Sequence, residues 1–351
     1  MGTNSWHAPP VQPKVRPDLF DTYWRFASER QRVFHRRVQG ADPPWTDDPI
    51  LMRYKFCNVY RASDRVSQYL IRRVIYEHSV DGLRPEDVFL RVVIFRIFSR
   101  ERTWDALENA TGGVSRRTLD VASLGSLLEH LRQHQAIYTS AFILAGHNPY
   151  GYAVKHRNHL ELVRNMFQPG RLGRSLARAK SLQDVYEALL QWPMMGVFMS
   201  YQIAVDLNYT GYLSFSEDDF VVPGPGAQRG IHKVFLDDGG LAPSELIMHM
   251  VHHQEEEFRK RDIDFQNLFG RRMHAIDAQG LFCEVDKYSR VAFPQLKSNR
   301  VRIKQSFRPN PDPIELYYPP KWGLNGRLPR RPEPGRLREG DTKSSPITSA
   351  G

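Results

Sequence analysis

Cysteine is almost missing from this chain: Cys57 and Cys283 are the only two in 351 residues. Two thiols exclude a disulfide scaffold, cannot form a structural zinc site alone, and predict a reducing compartment. Long hydrophobic runs are missing too. Nothing approaches the roughly 18 apolar residues of a membrane span, so no membrane partner is expected. The opening MGTNSWHAPPVQPKVRP lacks the apolar core of a signal peptide, and Trp6 stands where myristoylation prefers Ser or Thr. The expectation is an intracellular protein, in the nucleus if eukaryotic and otherwise in the cytoplasm. Nucleotide-phosphate signatures are equally absent. GxxxxGK followed by Ser or Thr occurs nowhere, and no GxGxxG follows a strand, so a P-loop kinase is not expected. No GxSxG is present, and no cofactor is implied.

What the chain has in excess is positive charge. A net charge of +10 and a pI of about 9.6 favour a polyanionic partner, nucleic acid before an anionic membrane. From Lys297 to Gly351 there are 12 Lys/Arg against 5 Asp/Glu, so much of the excess sits at the C-terminal end. That end is also Pro-rich, and Leu328-Pro329-Arg330-Arg331-Pro332 offers a weak nuclear address or a DNA-clinging arm. Residues 1–17 and 308–351 are expected to be disordered, flanking a helical body over 18–307.

Within the body the apolar residues recur at helical spacing, with no internal repeat and no sustained period-two alternation. Helices are predicted over Asp18–Val38, Phe56–Tyr76, Ser115–Gln133, His156–Phe167, Pro243–Arg261 and Met273–Val291. Pro85 opens a largely apolar one, and Ser181 caps Leu182–Gln191. Ala136–Ala145 is compatible with helix or strand. The fold class is all-α.

Three stretches carry functional signals. In Gly196–Phe235, an apolar segment ends in Asp206 and leads through an acidic turn to Pro223-Gly224-Pro225-Gly226-Ala227-Gln228-Arg229-Gly230. A Gly/Pro turn opening a helix leaves N–H groups free for a phosphate, as in a helix-hairpin-helix DNA-backbone binder; the alternative is an ordinary loop. Gly230 would let a second helix approach closely. In Phe56–Tyr76, Val59, Ala62, Val66, Leu70 and Val74 form a core stripe. Asn58, Arg61, Arg65, Gln68 and Arg72 form another, with Asp64 beside them. This second stripe is either a solvated face or an anion-facing surface. In Met273–Val291, Asp277, Leu281, Glu284 and Tyr288 share a line, flanked by His274 and Lys287. The two carboxylates serve acid–base chemistry, or they pair with the arginines of the other stripe. His249, His252 and His253 have metal-tempting spacing, but HxxHH lacks the general base of HExxH, so no metal is expected.

The blocks from Asn58 to Leu70, Phe95-Arg96-Ile97-Phe98 and Thr103-Trp104 carry a family resemblance. So do Gln202, Asp206, the Pro223–Gly230 turn, Asp277 and Leu281-Phe282-Cys283-Glu284-Val285-Asp286-Lys287-Tyr288. Together they resemble the helical domain of 5-hydroxymethyl-deoxyuridine DNA kinases, related to α-glutamyl/putrescinyl thymine pyrophosphorylases. The resemblance implies an all-α, DNA-glycosylase-like domain acting on modified thymine in DNA. It also implies a transferase that displaces the activating group of a phosphorylated 5-hydroxymethyluracil with an amine or amino acid. A separate DNA base kinase would supply the phosphate.

The reacting base must leave the duplex. In that scheme Gly224, Gly226 and Arg229 grip a phosphate, while Asn58, Arg61, Asp64, Arg65, Gln68 and Gln202 face the backbone or the leaving group. Asp277, Glu284 and Asp206 supply carboxylates, with Lys287 and Tyr288 assisting. Helix-hairpin-helix glycosylases carry a catalytic Asp beyond the hairpin, where this chain has Pro243, Ser244 and Glu245. Base excision and a non-catalytic DNA-binding module remain the alternative functions.

Overall fold

The computed structural model describes residues 12–78, 82–139, 144, 148–296, 299–310 and 314–329. Its α-helices in chain order are α1 (Pro17–Val38), α2 (Pro49–Arg53), α3 (Arg65–Tyr69), α4 (Pro85–Phe98), α5 (Glu101–Thr111), α6 (Val121–His134) and α7 (Lys155–Met166). They continue with α8 (Leu172–Arg178), α9 (Leu182–Leu190), α10 (Val197–Leu207), α11 (Pro225–Val234), α12 (Pro243–Lys260) and α13 (Ala275–Ala292). The extended elements among the described residues are β1 (Lys14–Val15) and β2 (Phe235–Asp237), an antiparallel pair. The all-α expectation holds. No described helix is long and apolar enough to cross a membrane.

Two groups of helices share the core. In one, α13 packs against α1, α2, α11 and α12, and its Phe282 meets Tyr23 of α1 and Phe235. In the other, α4 packs against α5, α7, α10 and the wide helical turn Leu70–Tyr76. The segment VFLRVVIFRIF of α4 is apolar nearly all round, which dictates burial on every side. Its two arginines are buried with partners: Arg91 on the Val74 carbonyl and Glu108, Arg96 on Asp206.

The glycines after Pro223 serve helix packing. A Cβ on Gly230 would sit 2.0 Å from the Phe282 carbonyl oxygen, and one on Gly226 would sit 2.3 Å from Cys283 Sγ. Only glycine lets α11 lie this close to α13. Gly224, just before α11, is closed in by Phe198 and Gln279. The connection from α10 is the irregular segment 208–224 rather than a tight hairpin. Its acidic turn reaches α13, where Asp218 accepts the Ala275 N–H at 2.9 Å.

Two expectations need correction. Phe56–Tyr76 is not one helix: the chain is extended up to Tyr60, makes a single 3-10 turn over Arg61–Ser63, and extends again at Asp64 before α3. The cause is local, because Asp64 accepts the Asn58 N–H at 2.8 Å and the Asn58 amide donates to the Ser63 carbonyl at 2.7 Å. These bonds close a loop that competes with helix. Nor is the chain beyond residue 308 loose throughout. Tyr318 and Leu324 are buried, the Tyr318 hydroxyl bonds Ser63, and the Lys321 ammonium donates to the carbonyls of Asn208, Thr210 and Leu213. Residues 12–16 are likewise ordered. Residues 1–11, 330–351 and most of 140–147 lie outside the described residues.

Candidate nucleic-acid interface

The sequence predicts one cleft, but the structure distributes its residues over four places. The first is a buried ionic knot. Arg61 donates to Asp206 at 2.7 Å, to Gln202 Oε1 at 3.0 Å and to the Tyr209 hydroxyl at 3.1 Å. Arg96 grips the other side of the same carboxylate. Two guanidiniums thus share one carboxylate near the C-terminal end of α10, where the helix dipole favours positive charge. Asp277 is tied in through the backbone, accepting the N–H groups of Arg61 at 3.0 Å and His274 at 3.1 Å. Burial pushes its carboxyl up to about 6. Arg61 thus meets Asp277 through its backbone N–H, which ties the two helical groups, while its guanidinium goes to Asp206 instead of pairing with Asp277 as the sequence suggests. The oxygens of Asp206 are occupied by arginines, and Asp277 is buried and bonded.

The second place is the side of α13 that faces Phe56 and Cys57. Glu284 accepts the Cys57 N–H at 3.0 Å and pairs with Lys287 at 2.6 Å, and the Lys287 ammonium lies 4.6 Å from the Phe56 ring centre. Burial works against that ammonium, but Glu284, with Cys57 and Cys283 adding to it, holds its pKa above the usual lysine range. Tyr288 donates to Asp48, whose other oxygen caps α2. The third place is the α11–α13 contact. There Arg229 bonds Asp286 at 3.2 Å alongside Lys233 and Arg290, so its charge is engaged within the fold.

The fourth place is open. A groove of about 530 Å³ is lined by Arg37, Asn58, Arg65, Gln68, Arg72 and Arg73, with Glu101 and Glu315 also on its wall. Arg61 and Arg65 point apart because Asp64 breaks the helix between them. Gln68 is held by the Ala62 carbonyl and the Tyr317 N–H, so it shapes the wall. Arg72 pairs with Glu77 and Glu315. Arg65 is exposed and makes no hydrogen bond or ion pair among the described residues. Asp64, just before it, has its carboxyl pushed up to about 6 by burial.

Arg37 lines this groove and also an adjoining cavity of about 390 Å³. The cavity walls are apolar and aromatic, with Trp45, Tyr54, Phe56 and Phe307 among them, and Arg30 lines it too. Four separate segments build it. Arg30 and Arg37 stand two turns apart on α1, on one side of the helix. Trp45 is locked by its indole N–H on the Ala41 carbonyl at 2.7 Å and lies under the Arg37 guanidinium at 4.8 Å. Phe307 is placed by its N–H on the Arg53 carbonyl at 2.9 Å. Burial lowers the pKa of Arg37, and the charges of Arg30 and Arg65 lower it further. Arg30, Arg37 and Arg65 therefore run from cavity to groove and repel one another at Arg37, while Glu101 acts on Arg65 within the groove; the remaining excess of guanidiniums attracts an anion. Sequence reasoning missed Arg30, Arg37, Trp45 and Phe307. The seven-residue spacing of the two arginines on a recognised helix was the available signal.

The fold is thus an all-α domain in which a guanidinium-lined groove adjoins an aromatic cavity. The chain belongs to the family described as the helical domain of 5-hmdU DNA kinase, matching it over residues 17–298. A 5-hmdU DNA kinase of Bacillus phage SP10 is 27% identical over 294 residues, covering 79% of this chain and 46% of that protein. The chain therefore spans about half the length of that curated relative. No solved structure matches it.

Proposed function

We propose that this domain binds DNA through the Arg37–Arg65–Arg72 groove and acts in the chemistry of 5-hydroxymethyluracil bases. The observation that carries the proposal is the cation excess of the groove, Arg37, Arg65, Arg72 and Arg73 against Glu101 and Glu315. Such an excess favours an anionic partner, and a phosphodiester backbone supplies one. Family membership directs the choice of base.

The finer proposal is transfer. A separate DNA base kinase phosphorylates the 5-hydroxymethyl group. The nitrogen of an amine or amino acid then attacks the 5-methylene carbon as the C–O bond to the phosphate leaves, and the proton released from nitrogen passes to a carboxylate. Glu284 is proposed for that task because Lys287 stands beside it to share the proton; like Asp206 and Asp277 it is buried. A non-catalytic DNA-binding module is the second reading, favoured by that same burial.

Nucleoside mass spectrometry of DNA from cells making the protein, with and without a 5-hydroxymethyluracil source and kinase, separates them. A new amine adduct supports transfer, and abasic sites would mean a glycosylase. Unmodified DNA, with binding intact, would reduce the domain to recognition.

A further inference from the structure

We infer that the aromatic cavity beside the groove receives a uracil-type base swung out of the DNA, with Arg30 reading its carbonyl edge. This rests on the DNA-binding proposal above and names what the neighbouring cavity would hold.

Arg30 is the unusual feature. It is 9% exposed, it lines the cavity, and its guanidinium makes no hydrogen bond or ion pair among the described residues; Nη1 is shielded and unpartnered. Asp64 and Glu284 act on it only at longer range, and burial lowers its pKa. A buried guanidinium left this way costs stability, whereas a ligand oxygen within reach would offset the cost. Guanidinium nitrogens only donate. The ligand edge facing Arg30 must therefore accept, as the O4 edge of a thymine-like base does; the amino group that cytosine carries at that position would meet a second donor.

The rest of the cavity suits the same ligand. Trp45, Phe56 and Phe307 give the cavity aromatic walls that suit a flat heterocycle, and base–aromatic contact works without sequence preference. A volume of about 390 Å³ lies within the range of small-ligand pockets. Arg37 belongs to both spaces, so a nucleotide with its base inside would leave its phosphates at Arg37 and Arg65, on the path of the bound strand. Uncompensated charge, aromatic walls and continuity with the groove agree on one occupant.

The test uses the full chain and duplexes that differ only at one pyrimidine: 5-hydroxymethyluracil, thymine or cytosine. A neighbouring 2-aminopurine reports unstacking by its fluorescence, and anisotropy reports binding. The wild-type protein should bind all three and raise the fluorescence beside the two uracil-type bases but not beside cytosine. Arg30→Met keeps the volume and removes the donor. Met52→Trp, at a rim position 47% exposed, narrows the entrance without touching the core. Met52→Trp should keep its overall DNA affinity, Arg30→Met should lose no more than the few-fold that one cation contributes, and in both the fluorescence change should fall roughly tenfold, the size of one hydrogen bond to a charged group. An unchanged fluorescence response in both folded variants would overturn the base-pocket assignment while leaving DNA binding intact. A wild-type protein that binds none of the duplexes would overturn the DNA-binding proposal itself.

Discussion

Replacing Asp206 by Asn separates structure from catalysis at the ionic knot. The side chains are nearly isosteric, so no cavity is created; what disappears is the one carboxylate shared by Arg61 and Arg96. Asp206 is 0% exposed, and Arg96 is almost as deeply buried. Removing one member of a buried ion pair costs about 3–5 kcal/mol, because the remaining charge stays buried without a counter-charge. With about 300 ordered residues and an unfolding entropy of about 2.1 cal/mol/K per residue, that corresponds to a Tm lowered by roughly 5–8 °C. Added salt should recover little of it, since screening acts weakly on buried charges. Calorimetry at low and high salt reads the shift, and DNA affinity measured well below the new Tm should stay close to wild type. A variant that melts like the wild type yet loses base modification would refute this account and restore Asp206 as a catalytic carboxylate.

Gly230→Ala should be destabilising by about 3 kcal/mol or more, because its methyl group would meet the Phe282 carbonyl 2.0 Å away and force α11 off α13; a denaturant titration checks it. Arg65→Ala should leave the melting curve unchanged and weaken DNA binding, lowering the slope of log affinity against log salt by about 0.9 if one phosphate contact is lost. An unchanged slope would remove Arg65 from the interface. Asp64 holds its proton up to about pH 6 in the folded state, against about 3.9 for an ordinary aspartate. The folded state therefore binds that proton more tightly. This group's contribution to stability is full in acid, falls as pH rises towards 6, and stays low above it. Asp64→Asn should remove that part of the pH dependence, measured as the difference between the two stability–pH curves.

Much of the fold can be read from the sequence because its signals are local. Pro17, Pro85 and Pro243 open helices, Ser181 caps α9 by accepting the Asp184 N–H at 3.0 Å, and the helical stripe Leu281–Tyr288 lies on α13. The close approach at Gly230 follows the same logic. The candidate site is harder to read because it depends on distant segments and on one local interruption. Spacing alone puts Arg61 and Arg65 on one helix face, but the Asn58–Asp64 loop sends the first into the core and the second to the surface. The aromatic cavity joins α1, the 43–46 linker, residues 54–56 and Phe307, and no periodicity links such pieces. The segment 314–329 looks like tail by its prolines and charge. Its Tyr317-Tyr318, Trp322 and Leu324 were the contrary signal, and they anchor it: Trp322 lies under the Arg271 guanidinium at 3.8 Å. Lys321 then closes carbonyls at the end of α10.

The central claim is that DNA lies along Arg37, Arg65 and Arg72 rather than at the Gly224–Gly230 end of α11. Photo-crosslinking of a duplex carrying 5-iodouracil, followed by peptide mapping, tests it most directly, since iodouracil couples to nearby aromatic rings. The account predicts adducts on peptides holding Trp45, Tyr54, Phe56 or Tyr69, all of which line the cavity or the groove. Adducts confined to Phe198 or Phe220, with none on those peptides, would place DNA at the α11 end and contradict it.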